Sequence, residues 1–146
     1  MARRFQLDSV LHYRTSLEDQ AQQALALSLQ KQRDLLTAID EQQNELQEQD
    51  RQLKALQHKG LAIAEIDLYE RRIDHCRRRC AQLKAELQQL EQKICQERDT
   101  LLQAARDRQV LDKLKDRQET EFRLEQERQE RLQLDEISLR NKRNMP

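Results

Sequence analysis

Residues 66–101 read IDLYERRIDHCRRRCAQLKAELQQLEQKICQERDTL. Two interleaved rows run through this stretch at alternating steps of three and four. One row is Ile66, Ile73, Cys80, Leu87, Ile94 and Leu101; the other is Tyr69, Cys76, Leu83, Leu90, Glu97, Ala104 and Leu111. A seven-residue apolar repeat carried by helix-forming residues is the seam of a coiled coil. Continuing the first row gives Arg108, Lys115 and Phe122, so the seam weakens beyond Leu101.

The residues before this stretch carry a fainter seam. Leu25, Ile39, Leu46 and Leu53 form one row and Leu29 and Leu36 the other, diluted by Gln32, Gln43 and Asp50. Carried past Gly60, these rows predict seam positions at 64 and 67, whereas the second tract uses Ile66 and Tyr69. Coiled coils absorb insertions of three or four residues smoothly, and an offset of two is neither. The chain is therefore expected to turn near Gly60. His58 and Lys59 suit the last turn of a helix, Gly60 supplies a left-handed residue after it, and Leu61 can pack back on that turn. The second helix has no side-chain N-cap in view, only Glu65 and Asp67 near its start to favour the dipole.

Folding the chain there aligns two registers that were read separately. Leu53 is expected to meet Ile66, Leu46 to meet Ile73, Ile39 to meet Cys80, Gln32 to meet Leu87 and Leu25 to meet Ile94. The other row sets Leu36 against Leu83 and Leu29 against Leu90, with Phe5 level with Leu114 and Leu7 with Asp112 farther out. The expected fold is all-α: two long helices forming an antiparallel coiled-coil hairpin with a C-terminal helical overhang. As one elongated domain over 1–146, helix 1 spans about 5–57, the turn 58–61, helix 2 about 62–140 and a frayed tail 141–146. Some 25 C-terminal residues then lack an intramolecular partner and project about 38 Å as helix.

Composition agrees with this architecture and narrows the function. Of the 146 residues 37% are charged and only 3% aromatic, with one Gly and one Pro, which favours long helices over a compact core. Lys plus Arg equals Asp plus Glu at 27 each, interspersed along the chain, so no strongly acidic or basic partner is implied. The richest basic run, Arg71, Arg72, Arg77, Arg78 and Arg79, has no stacking aromatics or nucleic-acid motif around it and reads as a solvated helix face. No apolar stretch approaches the about 20 residues needed to cross a membrane, and Met1-Ala2-Arg3-Arg4 opens no signal-peptide core. A soluble cytoplasmic protein, peripheral to a membrane at most, is expected.

Nothing in the sequence assembles a reactive centre. Three cysteines argue against a disulfide framework. Cys76 and Cys80 are one helical turn apart with His75 beside them, but two thiols do not complete a metal site, and Cys95 is about 22 Å farther along a helix. Both thiols fall on seam positions and read as small buried filler. There is no glycine-rich phosphate loop, no His-Glu-x-x-His pair and no nucleophile on a strained turn, and His12, His58 and His75 are scattered. Neither a cofactor nor enzymatic activity is expected.

The ends of the chain carry the more specific signal. Phe5-Gln6-Leu7, then Val10-Leu11-His12-Tyr13-Arg14 and Glu18, and toward the other end residues 107–118, Glu121-Phe122 and Leu134-Asp135-Glu136-Ile137, resemble the flagellar export protein family FliJ. The middle, roughly residues 30–103, carries only generic heptads. The resemblance implies a component of the bacterial flagellar type III export apparatus that serves motility. Its expected place is the centre of a hexameric export ATPase, with further contacts to the membrane export gate and to export chaperones. It also implies localisation in the cytoplasm, at the export apparatus on the inner membrane. Candidate partner-binding residues are Arg108, Leu111, Lys113, Leu114, Lys115, Phe122, Leu132 and Ile137, because family-like residues concentrate where the seam runs out. Arg108 and Lys115 are expected to reach carboxylates of a surrounding protein. The competing readings are a structural coiled-coil spacer or dimerisation protein, and the equivalent stalk protein of a virulence-type secretion system.

Overall fold

The computed structural model describes residues 5–60 and 62–145. They form two helices, α1 (Asp8–His58) and α2 (Ile63–Arg143), packed against each other as an all-α hairpin. Helix α1 starts three residues later than the sequence suggests: Phe5, Gln6 and Leu7 lie ahead of it, and the Asp8 amide donates to the Phe5 carbonyl at 3.1 Å. The carboxylate of Asp8 sits where the helix dipole favours an anion. Helix α2 runs three residues beyond the expected end, with Arg140, Lys142 and Arg143 complementing its C-terminal dipole.

The reversal follows from the end of α1. The amides of Lys59 and Gly60 donate to the carbonyls of Leu56 and Gln57, at 3.0 and 3.3 Å, satisfying acceptors that a helix end leaves open. Gly60 then adopts φ +78°, a left-handed conformation that penalises side chains with a Cβ even though open space surrounds this one. Among the described residues no side chain caps the start of helix α2, whose first bonds run from the Glu65 and Ile66 amides to the Ala62 carbonyl. The expected packing of Leu61 lies outside the described residues, as do the expectations resting on residues 1–4 and 146.

The chain divides into two compact units. One comprises residues 21–100, the other the residues up to 20 together with those from 101 onward. In the 21–100 unit, the inward face of α2 is formed by Ile66, Tyr69, Ile73, Cys76, Cys80, Leu83, Leu87, Leu90, Ile94 and Glu97, all buried or partly buried. On α1 the inward rows are Leu25, Gln32, Ile39, Leu46 and Leu53, alternating with Ser28, Leu35, Gln42, Gln49 and Leu56.

That second row differs from the expected one. Leu36 is 49% exposed and Leu29 only partly buried, while Ser28, three positions after Leu25, is 3% exposed. Steps of three and of four from Leu25 reach neighbouring positions, and counting leucines favours the wrong one. Ser28 can occupy the seam because its hydroxyl donates to the Glu97 carboxylate, with contacts of 2.8 and 3.0 Å to the two oxygens.

The pairing of the helices is also displaced. The expected register sets Ser28 against Glu91, Asp8 against Leu111, Arg14 against Ala105 and Glu18 against Leu101. The observed partners are Glu97, Lys115, Asp107 and Arg108, each farther toward the C-terminus. Phe5, Gln6 and Leu7 likewise border a cleft with Leu114, Arg117, Gln118 and Glu121, again farther along α2 than expected. The physical reason lies in the turn. With α1 ending at His58 and α2 starting at Ile63, the reversal is centred between residues 60 and 61, not between 59 and 60. A one-residue change at the turn moves every partner by two, and long side chains such as Glu97, Arg108 and Lys115 reach neighbouring turns for the remainder. Setting Leu53 opposite Tyr69, and Ile39 opposite Leu83, brings each inward row of α1 in residues 21–100 level with an inward row of α2.

Candidate partner-binding surface

In the unit built from the two ends of the chain, the apolar content of the interface is small. Phe5 is the one buried apolar residue among those described there, with Leu11, Leu17, Leu101, Leu111 and Phe122 partly buried. Charged groups join the helices instead. Arg14 Nη1 contacts Asp107 Oδ2 at 3.3 Å, Lys115 Nζ contacts Asp8 Oδ1 at 3.3 Å, and the Arg108 guanidinium is bonded to Glu18. A second nitrogen of Arg108 reaches Asp112 Oδ2, one turn farther along α2, at 2.5 Å. Hydrogen bonds to Glu18 first, and then to Asp112, raise the Arg108 pKa above its ordinary value, so the guanidinium stays charged.

This changes the reading of two predicted contact residues. Arg108 and Lys115 are turned into the helix pair, where Glu18, Asp112 and Asp8 already satisfy them, and neither is a free cation for an outside carboxylate. A seam position occupied by Arg or Lys is tolerated because an acid on the other helix meets it. Asp8 and Glu18 were absent from the sequence-derived site. The signal for them was present, since a cation on the inward face of a hairpin calls for an anion opposite, but the displaced register pointed elsewhere.

The other candidates lie in different settings. Leu111 and Phe122 are partly buried within the unit, whereas Lys113 is exposed and Leu114, 41% exposed, borders the cleft beside Phe5. From Arg123 to Met145 every described residue is exposed, although the helix continues to Arg143. Leu132 and Ile137 sit here, about half exposed, with Leu124, Leu134 and Leu139 also uncovered. At 100° per residue Leu132 and Leu139 share one face, while Leu134 and Ile137 lie roughly opposite. This segment therefore presents apolar side chains in two directions. Its local order is assisted by Arg128, whose guanidinium donates to both oxygens of Glu125 at 2.7 and 3.2 Å.

The remaining motifs of the 21–100 unit do not converge on chemistry. Cys76 and Cys80 are buried free thiols and Cys95 an exposed one. Burial pushes the Cys76 thiol up, with smaller contributions from Glu45 and Cys80, which is opposite to the tuning of a reactive thiolate. Among the described residues no group of three or more His, Cys, Asp or Glu side chains is placed to hold a metal ion. His75 borders a shallow groove of about 440 Å³ with Glu45, Gln49, Arg71 and Cys76, in which the buried Gln49 Oε1 has no hydrogen-bond partner. The basic run is partly occupied locally: Arg71 pairs with Asp67 at 3.1 Å, and Arg72 lies 5.6 Å from the centroid of the Tyr69 ring. No described helix is long and apolar enough to cross a membrane.

Comparison with known proteins adds a family assignment. A family model described as flagellar FliJ protein matches residues 3–145, nearly the whole chain. No curated protein and no solved structure gives a significant match.

Proposed function

This chain belongs to the flagellar FliJ family, a component of the flagellar export apparatus, and from that premise we propose that it acts as the central stalk of the hexameric export ATPase. In this reading it also serves as an adaptor to the membrane export gate and to export chaperones, and the ATP chemistry resides in the partner. The observation that carries the proposal is the last part of α2, a helix whose every described side chain beyond Phe122 is exposed and whose leucines point in two directions. Uncovered apolar residues on opposite faces of a helix suit a protein that surrounds it. A ring of subunits has that geometry. Lys113, Leu114, Leu132 and Ile137 are the contact residues in this proposal, with Leu111 and Phe122 supporting them from within the helix pair.

Steady-state ATP hydrolysis by the purified export ATPase, titrated with this protein, tests the reading. The parent chain is expected to raise turnover, and Leu132→Gln with Ile137→Gln to reduce the stimulation at least about fivefold while circular dichroism stays nearly unchanged. Replacing Arg77, Arg78 and Arg79 by Gln should leave stimulation intact. No stimulation by the parent, or full stimulation by the double variant, rejects the proposed contact. Loss only in the arginine variant would mean that the end carrying Gly60 engages the ATPase.

A further inference from the structure

We propose that the unit formed by the chain ends is an electrostatic clasp, which opens with rising salt while the helix pair of residues 21–100 stays closed. Three ion pairs cross between α1 and α2 there: Asp8 with Lys115, Arg14 with Asp107, and Glu18 with Arg108. They are spaced along α1 and fall at two places on α2, the adjacent Asp107 and Arg108 and, two turns on, Lys115, so together they hold residues 8–18 of α1 to residues 107–115 of α2. Phe5 apart, no described residue of this unit falls in the buried class. Within residues 21–100, by contrast, every ion pair among the described residues joins side chains three or four positions apart on one helix, and the helices meet through buried apolar groups, thiols and the single Ser28 to Glu97 hydrogen bond, whose donor is uncharged.

The two kinds of contact respond differently to ions. The crossing pairs are partly exposed, with side-chain accessibilities between 12 and 40%. The screening length falls from about 10 Å at 0.1 M salt to about 3 Å at 1 M, so attraction between such groups weakens, whereas burial of Ile39, Ile73 or Leu83 does not depend on it. Once the crossing pairs loosen, residues 8–20 are a helix end with little apolar cover, and helix ends fray. Opening then frees Asp8 and Glu18 as anions and Lys115 as a cation, leaves Arg108 paired with Asp112 alone, and uncovers the partly buried Leu11 and Leu111. A partner of mixed charge offering the complementary groups replaces the internal contacts with external ones. The clasp is a property of the chain alone and needs no ATPase.

Amide hydrogen exchange of the full-length protein at about 0.05 and about 1 M sodium chloride tests it. Residues 8–20 are expected to exchange roughly tenfold faster at the higher salt, while residues 73–94 change by less than about twofold. The Glu18→Gln variant removes one charge and keeps the side-chain shape. At low salt it should already exchange faster than the parent at residues 8–20, and it should respond less to added salt. An absence of salt response at residues 8–20, a parallel response in both units, or an unaltered salt response in the variant overturns the clasp.

Discussion

Between residues 21 and 100 the two helices meet mainly through buried apolar groups and thiols, with the Ser28 to Glu97 hydrogen bond as a polar layer, whereas near the chain ends ion pairs join the same two helices. The first region buries Ile39, Leu53, Ile73, Cys76, Cys80, Leu83 and Ile94, each a source of hydrophobic stabilisation. Among its described residues the second buries Phe5 alone and relies on partly exposed ion pairs, individually weak contacts. One fold thus contains a part held by apolar burial and a part held by charges that salt can screen. Beyond Phe122 the helix continues with no described cover at all.

The sharpest way to break this contrast is Ile73→Asp, which puts a carboxylate where the parent side chain is only 5% exposed. A loss of at least about 3 kcal/mol is expected, enough to melt the helix pair. Thermal and urea unfolding followed by circular dichroism measure it. A midpoint equal to that of the parent would mean that the strength of the 21–100 region lies elsewhere.

A polar layer inside that apolar region offers a finer test. Ser28→Ala removes the hydroxyl that bonds Glu97, leaving a largely covered carboxylate with only Lys93, 3.8 Å away, as a cationic neighbour. A cost of about 1–3 kcal/mol is expected, because a group deprived of its donor keeps its desolvation penalty. Adding Glu97→Leu to the same chain should recover most of the loss, since an apolar pair has nothing left to satisfy. If the double variant is no better than the single one, the Ser28 to Glu97 bond is not the source of the cost.

The smallest expected effect tests the corrected row. Leu36→Gln should change stability by less than about 0.5 kcal/mol, as for other exposed positions, because Leu36 lies off the inward face. Leu35→Gln, one residue earlier and partly buried, should cost more. Equal unfolding midpoints for the two variants would restore the ambiguity between the rows.

How much of this was legible beforehand depended on which side of the turn carried the signal. On α2 the three-and-four rhythm from Ile66 to Ile94 was uninterrupted, so the inward face followed directly from hydrophobicity. On α1 the apolar rhythm was broken by Gln32, Gln43 and Asp50, and the leucines at 29 and 36 outweighed a serine at 28 whose role exists only beside Glu97. The candidate surface divided in the same way. Leu132 and Ile137 are recognisable as apolar residues without a partner, while Arg108 and Lys115 look equally free because the acids that meet them across the helix pair, Glu18 and Asp8, lie 90 and 107 positions away in the chain.

Composition and the heptad period decide that this chain is two helices, and the lone Gly60 decides where it reverses, because both depend on local backbone energetics and on side-chain spacing along a single helix. Which residues face one another is a different kind of fact. A one-residue difference in the centre of the turn shifts every cross-helix partner, and hydrophobicity cannot count a serine or an arginine as an inward residue until the carboxylate that satisfies it is in place. The pairing of Ser28 with Glu97, of Glu18 with Arg108 and of Asp8 with Lys115 therefore belongs to the folded hairpin, where distant charges come within bonding distance and leave the last part of α2 uncovered.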